Sequence, residues 1–375
     1  MRIRILVDLL HIRDSVFTGI GNVALDIVKG LIEYTEYEVV VLIWENLTAK
    51  IDEDFGNTVL MISMPLKYQK DLKKRFSIHF IPLYLRKKIE CIGIDLVFTP
   101  RFSVNSYIFP RKYKQIGLVH DVQHVKLRKW HVSFPYYMLL TALYYHMVPH
   151  LISISKFTQK DVRLYSGRDS IVIYNSVTIY SNKEKRIEEF ADIKYILDVN
   201  SFWKYKNTER LIDAFSLIMN EIPHKLYLKG TASDIKRKEE LETYVKNRDL
   251  SDRVVIDINN YSLEEMNYLY NHADLFVSPS LMEGFGLTPI EAALHKIPVL
   301  ISNIETLKEV TDEKVGMFNP LSAEDMAKSI LDILLNPLAP RDLDELAKYY
   351  QEKYSRKNQI RCYTNYFKKI VGENG

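Results

Sequence analysis

The sequence predicts an α/β protein made of two doubly wound parallel-sheet domains that face each other across a cleft. Three observations predict it. Short apolar strand patterns alternate with helical patterns through residues 1–180, and the same alternation restarts after a charged stretch at 181–190. The length of 375 residues suits two domains better than one. Finally, the segment SPSLMEGFGLTPIEAALHKIPVLIS, residues 278–302, reads as strand, glycine-containing turn, helix and strand, a crossover that demands parallel pairing.

In chain order, strands are expected at 3–8, 38–44, 95–99, 115–120, 151–154 and 170–174, with helices at 21–34, 66–74, 134–147 and 156–165. The run SNKEKRIEEF at 181–190 has no strand character and reads as an interdomain linker. Strands follow at 193–199, 225–229 and 254–258, and helices at 207–220, 236–246 and 263–271. The crossover at 273–301 comes next, and helices close the chain at 323–335 and 342–370. The expected domains are 1–180, joined by a helix at 355–372 that crosses back, and 191–350.

Composition narrows the function. Cys91 and Cys362 are the only cysteines, too few for a disulfide framework or a cysteine-built metal site, so a reducing cytosol is expected. The N-terminus passes straight into a strand without a signal-peptide pattern, and the apolar run 136–154 is broken by His146, Pro149 and His150, so a soluble chain is expected. Net charge is +8 over residues 1–180 and −5 over the remainder, with 15 basic against 4 acidic residues between Lys67 and Lys129. Interleaved aromatics make that segment a candidate for peripheral contact with an anionic membrane surface, or for a solvated face with core aromatics. No nucleic-acid module is visible, and nucleic acid is not expected as a partner. Asp52-Glu53-Asp54 and Asp342-Leu343-Asp344 follow no expected strand, so no metal site and no cofactor is expected.

The candidate site residues sit where strands end. Glu283 and Glu291 flank Gly-Phe-Gly-Leu-Thr-Pro. Glu291 could be a helix cap, with Thr288 as N-cap and Pro289 at the first helical position. That reading leaves Glu283, Gly284 and Gly286 unexplained. Backbone N–H groups at a strand's carboxyl end and a helix start suit a phosphate, whereas carboxylates suit sugar hydroxyls. The turn therefore suits a nucleotide sugar. Gly19 and Gly21 form a second glycine-rich loop after the first strand; His120-Asp121 closes a strand as an acid/base pair or a turn; Lys204 and Lys206 could meet a diphosphate or be surface lysines. Tyr268 and Tyr270 read as packing.

Taken together, Asp274-Leu-Phe-Val-Ser-Pro-Ser-x-x-Glu283-Gly-Phe-Gly-Leu-x-Pro-Ile-Glu291-Ala, Thr18-Gly-Ile-Gly21, His120-Asp121, Ile152-Ser-Ile-Ser-Lys-Phe-Thr158 and Lys206-Asn207 resemble retaining glycosyltransferases of the GT-B fold, family four, with its E-x7-E signature. The resemblance runs over nearly the whole chain. It implies a nucleotide-sugar donor and a glycan or polyprenyl-linked acceptor, with two Rossmann-like domains closing to exclude water. Glu283 would hold donor sugar hydroxyls, and Glu291 the ribose. Backbone amides of Phe285, Gly286, Leu287 and Thr288 would meet sugar and diphosphate, with Lys204, Lys206, Gly19 and Gly21 around the diphosphate. His120 would lie by the anomeric carbon and Asp121 by the acceptor. Residues 258–261 fall at the base. One departure is that Val199-Asn200-Ser201 stands where many relatives have Gly-Arg. The Ser-x4-Lys-Asn subgroup resembles enzymes of capsule and O-antigen synthesis. GDP-mannose is the favoured donor, with UDP-hexoses and dTDP-deoxysugars open. An epimerase or hydrolase of the same plan, or a non-catalytic partner of another transferase, are the rival readings.

Overall fold

The computed structural model describes residues 2–13, 19–68, 83–104, 106–128, 131–179, 183–190 and 193–372. These form two compact units, residues 1–176 with 356–375, and residues 177–355.

The first unit runs β1 (Arg4–Asp8), α1 (Gly19–Tyr34), β2 (Glu38–Trp44), α2 (Thr48–Phe55), β3 (Leu60–Met64), α3 (Leu83–Ile92), β4 (Leu96–Thr99), β5 (Lys114–Val119), α4 (Gln123–Lys126), α5 (Phe134–Met147), β6 (His150–Ser153), α6 (Lys156–Ser166) and β7 (Ile171–Val172). The strands form one parallel sheet in the order β3-β2-β1-β4-β5-β6-β7. β1, β2, β4 and β5 are nearly continuous buried apolar runs, as strands covered on both faces must be.

The second unit runs β8 (Tyr195–Val199), α7 (Thr208–Ile218), β9 (Lys225–Lys229), α8 (Ile235–Lys246), β10 (Val254–Asp257), α9 (Leu263–Asn271), β11 (Leu275–Ser278), α10 (Leu287–Leu294), β12 (Val299–Ser302), α11 (Glu305–Thr311), β13 (Gly316–Phe318), α12 (Ala323–Leu335) and α13 (Pro340–Lys353). Its parallel sheet has the order β10-β9-β8-β11-β12-β13. The final helix, α14 (Arg356–Gly372), packs on α1 in the first unit. The close approach is possible because position 30 is glycine: a Cβ there would stand 2.5 Å from Ile360.

Both sheets are doubly wound, and the strand order reverses between β1 and β4 and between β8 and β11. Ligands of such sheets bind at the carboxyl ends beside that reversal, where the outgoing loops turn opposite ways and leave a crevice.

Several expectations shift. The helix expected at 66–74 shows only a single 3-10 turn, Leu66–Tyr68, before residues 69–82, which lie outside the described part. The strand expected at 170–174 is two residues long. The helical tail expected at 342–370 divides into α13 and α14, and α14 falls where the separate helix at 355–372 was expected. Of the stretch expected as a linker, residues 183–190 are described and belong to the second unit. Lys185 N donates to the Glu264 carbonyl, Lys185 Nζ pairs with Glu265 at 2.9 Å, and Asn267 Nδ2 donates to the Lys183 carbonyl, so residues 183–185 are bound to α9.

Candidate active site

At the reversal point of the second sheet, β8 ends in Tyr-Ile-Leu-Asp-Val. Asp198 is buried there, and loss of water pushes its carboxyl up from 3.8 to about 7; Lys206 opposes the rise and Glu283 adds to it. Asn200 Nδ2 donates to Asp198. The chain then makes one 3-10 turn, Lys204–Lys206, and Asn207 adopts a left-handed conformation with φ 63° before α7. Asparagine tolerates that conformation better than most residues. Its amide also donates to the carbonyls of Pro279, at 3.0 Å, and Pro320, at 2.8 Å. Leu281 N donates to the Tyr205 carbonyl, so the loops after β8 and β11 are stitched together.

That stitching delivers Lys206 Nζ to Glu283 Oε1 at 2.6 Å, with the two side chains 14% and 13% exposed. Ser280 Oγ donates to the same oxygen at 2.8 Å, and Thr306 Oγ1 holds the Glu283 carbonyl at 3.0 Å. A buried lysine–glutamate pair costs desolvation that Coulomb attraction only partly returns, so its placement at the sheet's ligand-binding edge is a functional signal.

The turn at 284–288 differs from the expected cap. α10 starts at Leu287, its N-cap is Gly286 at φ 91°, and no side chain caps it. Thr288 is therefore inside the first turn, and Pro289 stands at the third helical position, two later than expected. Gly286 is required twice over: φ 91° disfavours any side chain, and a Cβ would meet Leu307 Cδ2 at 2.5 Å. Leu287 and Thr288 are partly exposed, and Phe285 is buried with its ring edge-on to Tyr354 at 5.5 Å. The first N–H groups of α10 have no intrahelical acceptor by construction and face the carboxyl edge of the sheet.

Glu291 does not return to the Thr288 N–H. Its Oε2 accepts the Tyr270 hydroxyl at 2.9 Å, and burial raises its carboxyl above the ordinary value, with that hydrogen bond opposing. Tyr270, read from the sequence as packing, both packs on Phe276 and positions Glu291; its other face stacks on His295 at 5.0 Å.

In the first unit His120 follows β5, is buried, and bonds through Nε2 to the Pro100 carbonyl at 2.7 Å. A carbonyl only accepts, so Nε2 carries the proton. Burial lowers the His120 pKa to about 4, which leaves a neutral ring with Nδ1 as acceptor. Asp121 does not partner it. Its Oδ1 accepts Gln123 N at 2.9 Å and starts α4, so the adjacent pair is not a hydrogen-bonded acid/base couple. Gly19 and Gly21 lie in the first turn of α1 rather than in a loop, and a Cβ on Gly19 would meet nothing within 4 Å. Phe17 and Thr18 of that motif lie outside the described residues.

The structure thus brings Lys206, Glu283 and Gly286 to one edge with Glu291 on the adjoining helix, and leaves Lys204 exposed with no bond to them. Sequence reasoning missed Asp198 and Tyr270. The signal for Asp198 was an aspartate in an otherwise apolar strand. Asp52, Glu53 and Asp54 lie on α2 and Asp342 and Asp344 on α13; among the described residues no three such groups are placed to hold a metal ion.

Residues 181–353 match the family described as "Glycosyl transferases group 1". The chain is 26% identical over 261 residues to the O-antigen chain mannosyltransferase RfbU of Salmonella typhimurium, spanning 67% of this chain and 68% of that protein. It is 32% identical over 192 residues to the serotype-specific mannosyltransferase WbdA of Escherichia coli, and there the match spans only 23% of the relative's length. Among solved structures, a sucrose-phosphate synthase from Thermosynechococcus elongatus superposes with a TM-score of 0.75 at 17% identity, covering 99% of this chain and 100% of that one. Anabaena HepE in complex with UDP follows with a TM-score of 0.71 at 14% identity, covering 98% and 100%. The two parallel-sheet domains match the GT-B architecture of these structures. The sequence matches support a glycosyltransferase as the class of this protein.

Proposed function

We propose that the protein is a retaining hexosyltransferase that moves a hexose or deoxyhexose from a nucleotide sugar to a glycan or polyprenyl-linked acceptor in surface polysaccharide synthesis. The observation that carries this reading is the Lys206–Glu283 pair, buried at 2.6 Å beside the open N-terminus of α10. A cation, a carboxylate and free backbone donors in one place suit a ligand that is anionic at one end and hydroxylated at the other. The mannosyltransferase names of the sequence relatives favour mannose, carried as GDP-mannose.

In the proposed reaction the bond from the anomeric carbon to the diphosphate breaks, and the acceptor oxygen bonds to the same carbon on the same face. The acceptor proton passes to a diphosphate oxygen. Lys206 and the N–H groups of α10 stabilise the charge that grows on the leaving group. Glu283 accepts hydrogen bonds from sugar hydroxyls, Glu291 from the ribose, and His120 Nδ1 from a hydroxyl of the donor sugar. No residue is assigned as a metal ligand, and the reaction is proposed to be metal-independent.

A peripheral contact with an anionic membrane surface at the cytoplasmic face is part of the proposal. Leu127, Val132, Leu139 and Leu143 are 57%, 91%, 70% and 45% exposed, around and on α5, and border the basic 67–129 segment. Apolar side chains beside a basic segment suit the boundary between headgroups and acyl chains. Among the described residues no helix is long and apolar enough to cross a membrane.

The test is thermal stabilisation by a panel of nucleotides and nucleotide sugars without added metal, followed by transfer assays on wild type and Glu283→Ala. Ligand at a hundred times its dissociation constant adds about 2.7 kcal/mol of apparent stability. A shift confined to one nucleotide family names the donor base. A folded protein that no nucleotide stabilises, or a Glu283→Ala variant with normal turnover, sinks the assignment.

A further inference from the structure

The carboxyl edge of the first sheet holds charges that the proposed reaction leaves without a task. Asp8 ends β1 beside Thr99, which ends the neighbouring β4 level with Gly117 of β5; β5 runs two residues further, to Val119, before His120, whose ring is held by the Pro100 carbonyl. Two arginines emerge beside them. Arg13 lies in the segment after β1, its carbonyl held by Asn46 Nδ2 at 3.0 Å. Arg101 lies between two anchored neighbours: the Pro100 carbonyl takes the His120 ring at 2.7 Å, and Phe102 N donates to the Leu118 carbonyl at 2.7 Å. Phe102 is itself seated in the space left by Gly117, where a Cβ would stand 2.6 Å from its ring.

We propose that Arg13 and Arg101 form a binding site for a phosphate-class anion at the carboxyl edge of β1 and β4. Among the described residues neither guanidinium has a hydrogen-bond acceptor or a carboxylate within ion-pair distance, although each side chain lies in the other's field. Two like charges fixed near one another in partly dehydrated surroundings repel, and an anion between them removes that cost. Guanidinium forks match phosphate oxygens in pairs, which a lysine cannot do.

The remaining groups do not cancel this charge. Asp121 is the opposing carboxylate, and its Oδ1 is already engaged by Gln123 N. Asp8 accepts Leu10 N and the Thr99 hydroxyl, and burial holds its carboxyl at about 7, so near neutral pH it is only partly ionised. His11 and His120 are held neutral, near 3 and 4, by burial and by the Arg101 charge. The buried His11 ring nitrogens make no hydrogen bond of normal geometry, only a weak approach to the Asp8 backbone. The fully buried Tyr145 hydroxyl, within the field of Asp121, also has no partner. Polar groups left open in this way beside two free guanidiniums are what a site built for a ligand presents.

This deepens the transferase reading and rests on it for the ligand's identity: the anion is either the donor's diphosphate or a phosphate on the acceptor. The experiment is isothermal titration of the full chain carrying Lys206→Met together with Glu283→Gln, which silences the other phosphate-binding candidate without leaving a buried charge unpaired, with inorganic pyrophosphate. Adding Arg101→Gln or Arg13→Gln should weaken binding about tenfold or more, and Arg101→Lys should recover part of it. Both arginines are on the surface, and a melting curve checks that the variants fold. In otherwise wild-type protein, Arg101→Gln titrated with GDP and UDP distinguishes the sources. Weakened nucleotide binding assigns the site to the donor diphosphate; unchanged nucleotide binding with weakened pyrophosphate binding assigns it to the acceptor phosphate. Pyrophosphate affinity that ignores both arginines overturns the proposal. None of these readouts needs turnover, so a failure of the transferase reading would leave the pyrophosphate result standing.

Discussion

Replacing Asp198 with asparagine should stabilise the protein near neutral pH and destabilise it modestly near pH 4, so the difference between the two chains changes sign across that range. The buried carboxyl titrates at about 7 in the folded chain against 3.8 ordinarily. Below pH 3.8 the group is protonated whether folded or not, and folding bears no charge penalty. As pH rises through 3.8 the unfolded chain releases the proton easily while the folded chain holds it, so stability falls until about pH 7 and then levels. Each pKa unit is worth about 1.36 kcal/mol, so the loss is roughly 4 kcal/mol. Asparagine keeps an acceptor for Asn200 but adds an amide donor, whose want of a partner costs about 1–3 kcal/mol. The net gain at pH 7.5 is therefore about 1–3 kcal/mol. Scanning calorimetry of both chains at half-unit steps from pH 4 to pH 8 measures it. Asp8 also titrates at about 7, but its contribution is common to both chains and cancels in the difference. A difference that stays flat across the range would refute the reasoning, because Asp198 would then ionise as easily folded as unfolded.

Other perturbations have equally definite outcomes. Glu283→Gln strands the buried Lys206 cation and should cost about 3–5 kcal/mol, while Glu283→Gln with Lys206→Met should recover most of it; strictly additive losses in a double-mutant cycle would show that the pair is not coupled. Gly286→Ala forces a side chain into a left-handed backbone against Leu307 and should lower stability by about 1–3 kcal/mol, read from the denaturation midpoint. Glu291→Gln retains an acceptor for Tyr270, so the melting temperature should hold while nucleotide affinity falls about tenfold; unchanged titration isotherms would return Glu291 to a structural role. Leu139→Ser with Leu143→Ser should reduce co-sedimentation with phosphatidylglycerol vesicles about tenfold or more without altering the melt, and equal sedimentation would exclude α5 from membrane contact.

Much of this molecule can be read without coordinates. Alternating apolar strands and amphipathic helices encode two doubly wound sheets, because buried parallel strands need continuous apolar runs and long crossovers. The helices at 134–147, 263–271 and 323–335 lie where their apolar spacing put them. Glycines and carboxylates at strand ends marked Glu283, Gly286 and Glu291 as site candidates, since local chemistry at a strand's carboxyl end is visible in one dimension. The partnerships among them are not. Lys206 meets Glu283 across 77 residues, Tyr270 meets Glu291 across 21, and the two arginine segments converge across nearly ninety. Asp198 looked like an ordinary strand residue until burial beside Lys206 and Glu283 changed its ionisation. His120 and Asp121, neighbours in sequence, are held apart chemically because one is tied to Pro100 and the other to the start of α4. The sequence alone determined the elements and the candidate chemistry through local periodicity and turn preference. Only the tertiary structure decided which charges pair, which lose water and which stay open to a ligand, because those depend on contacts between segments far apart in the chain.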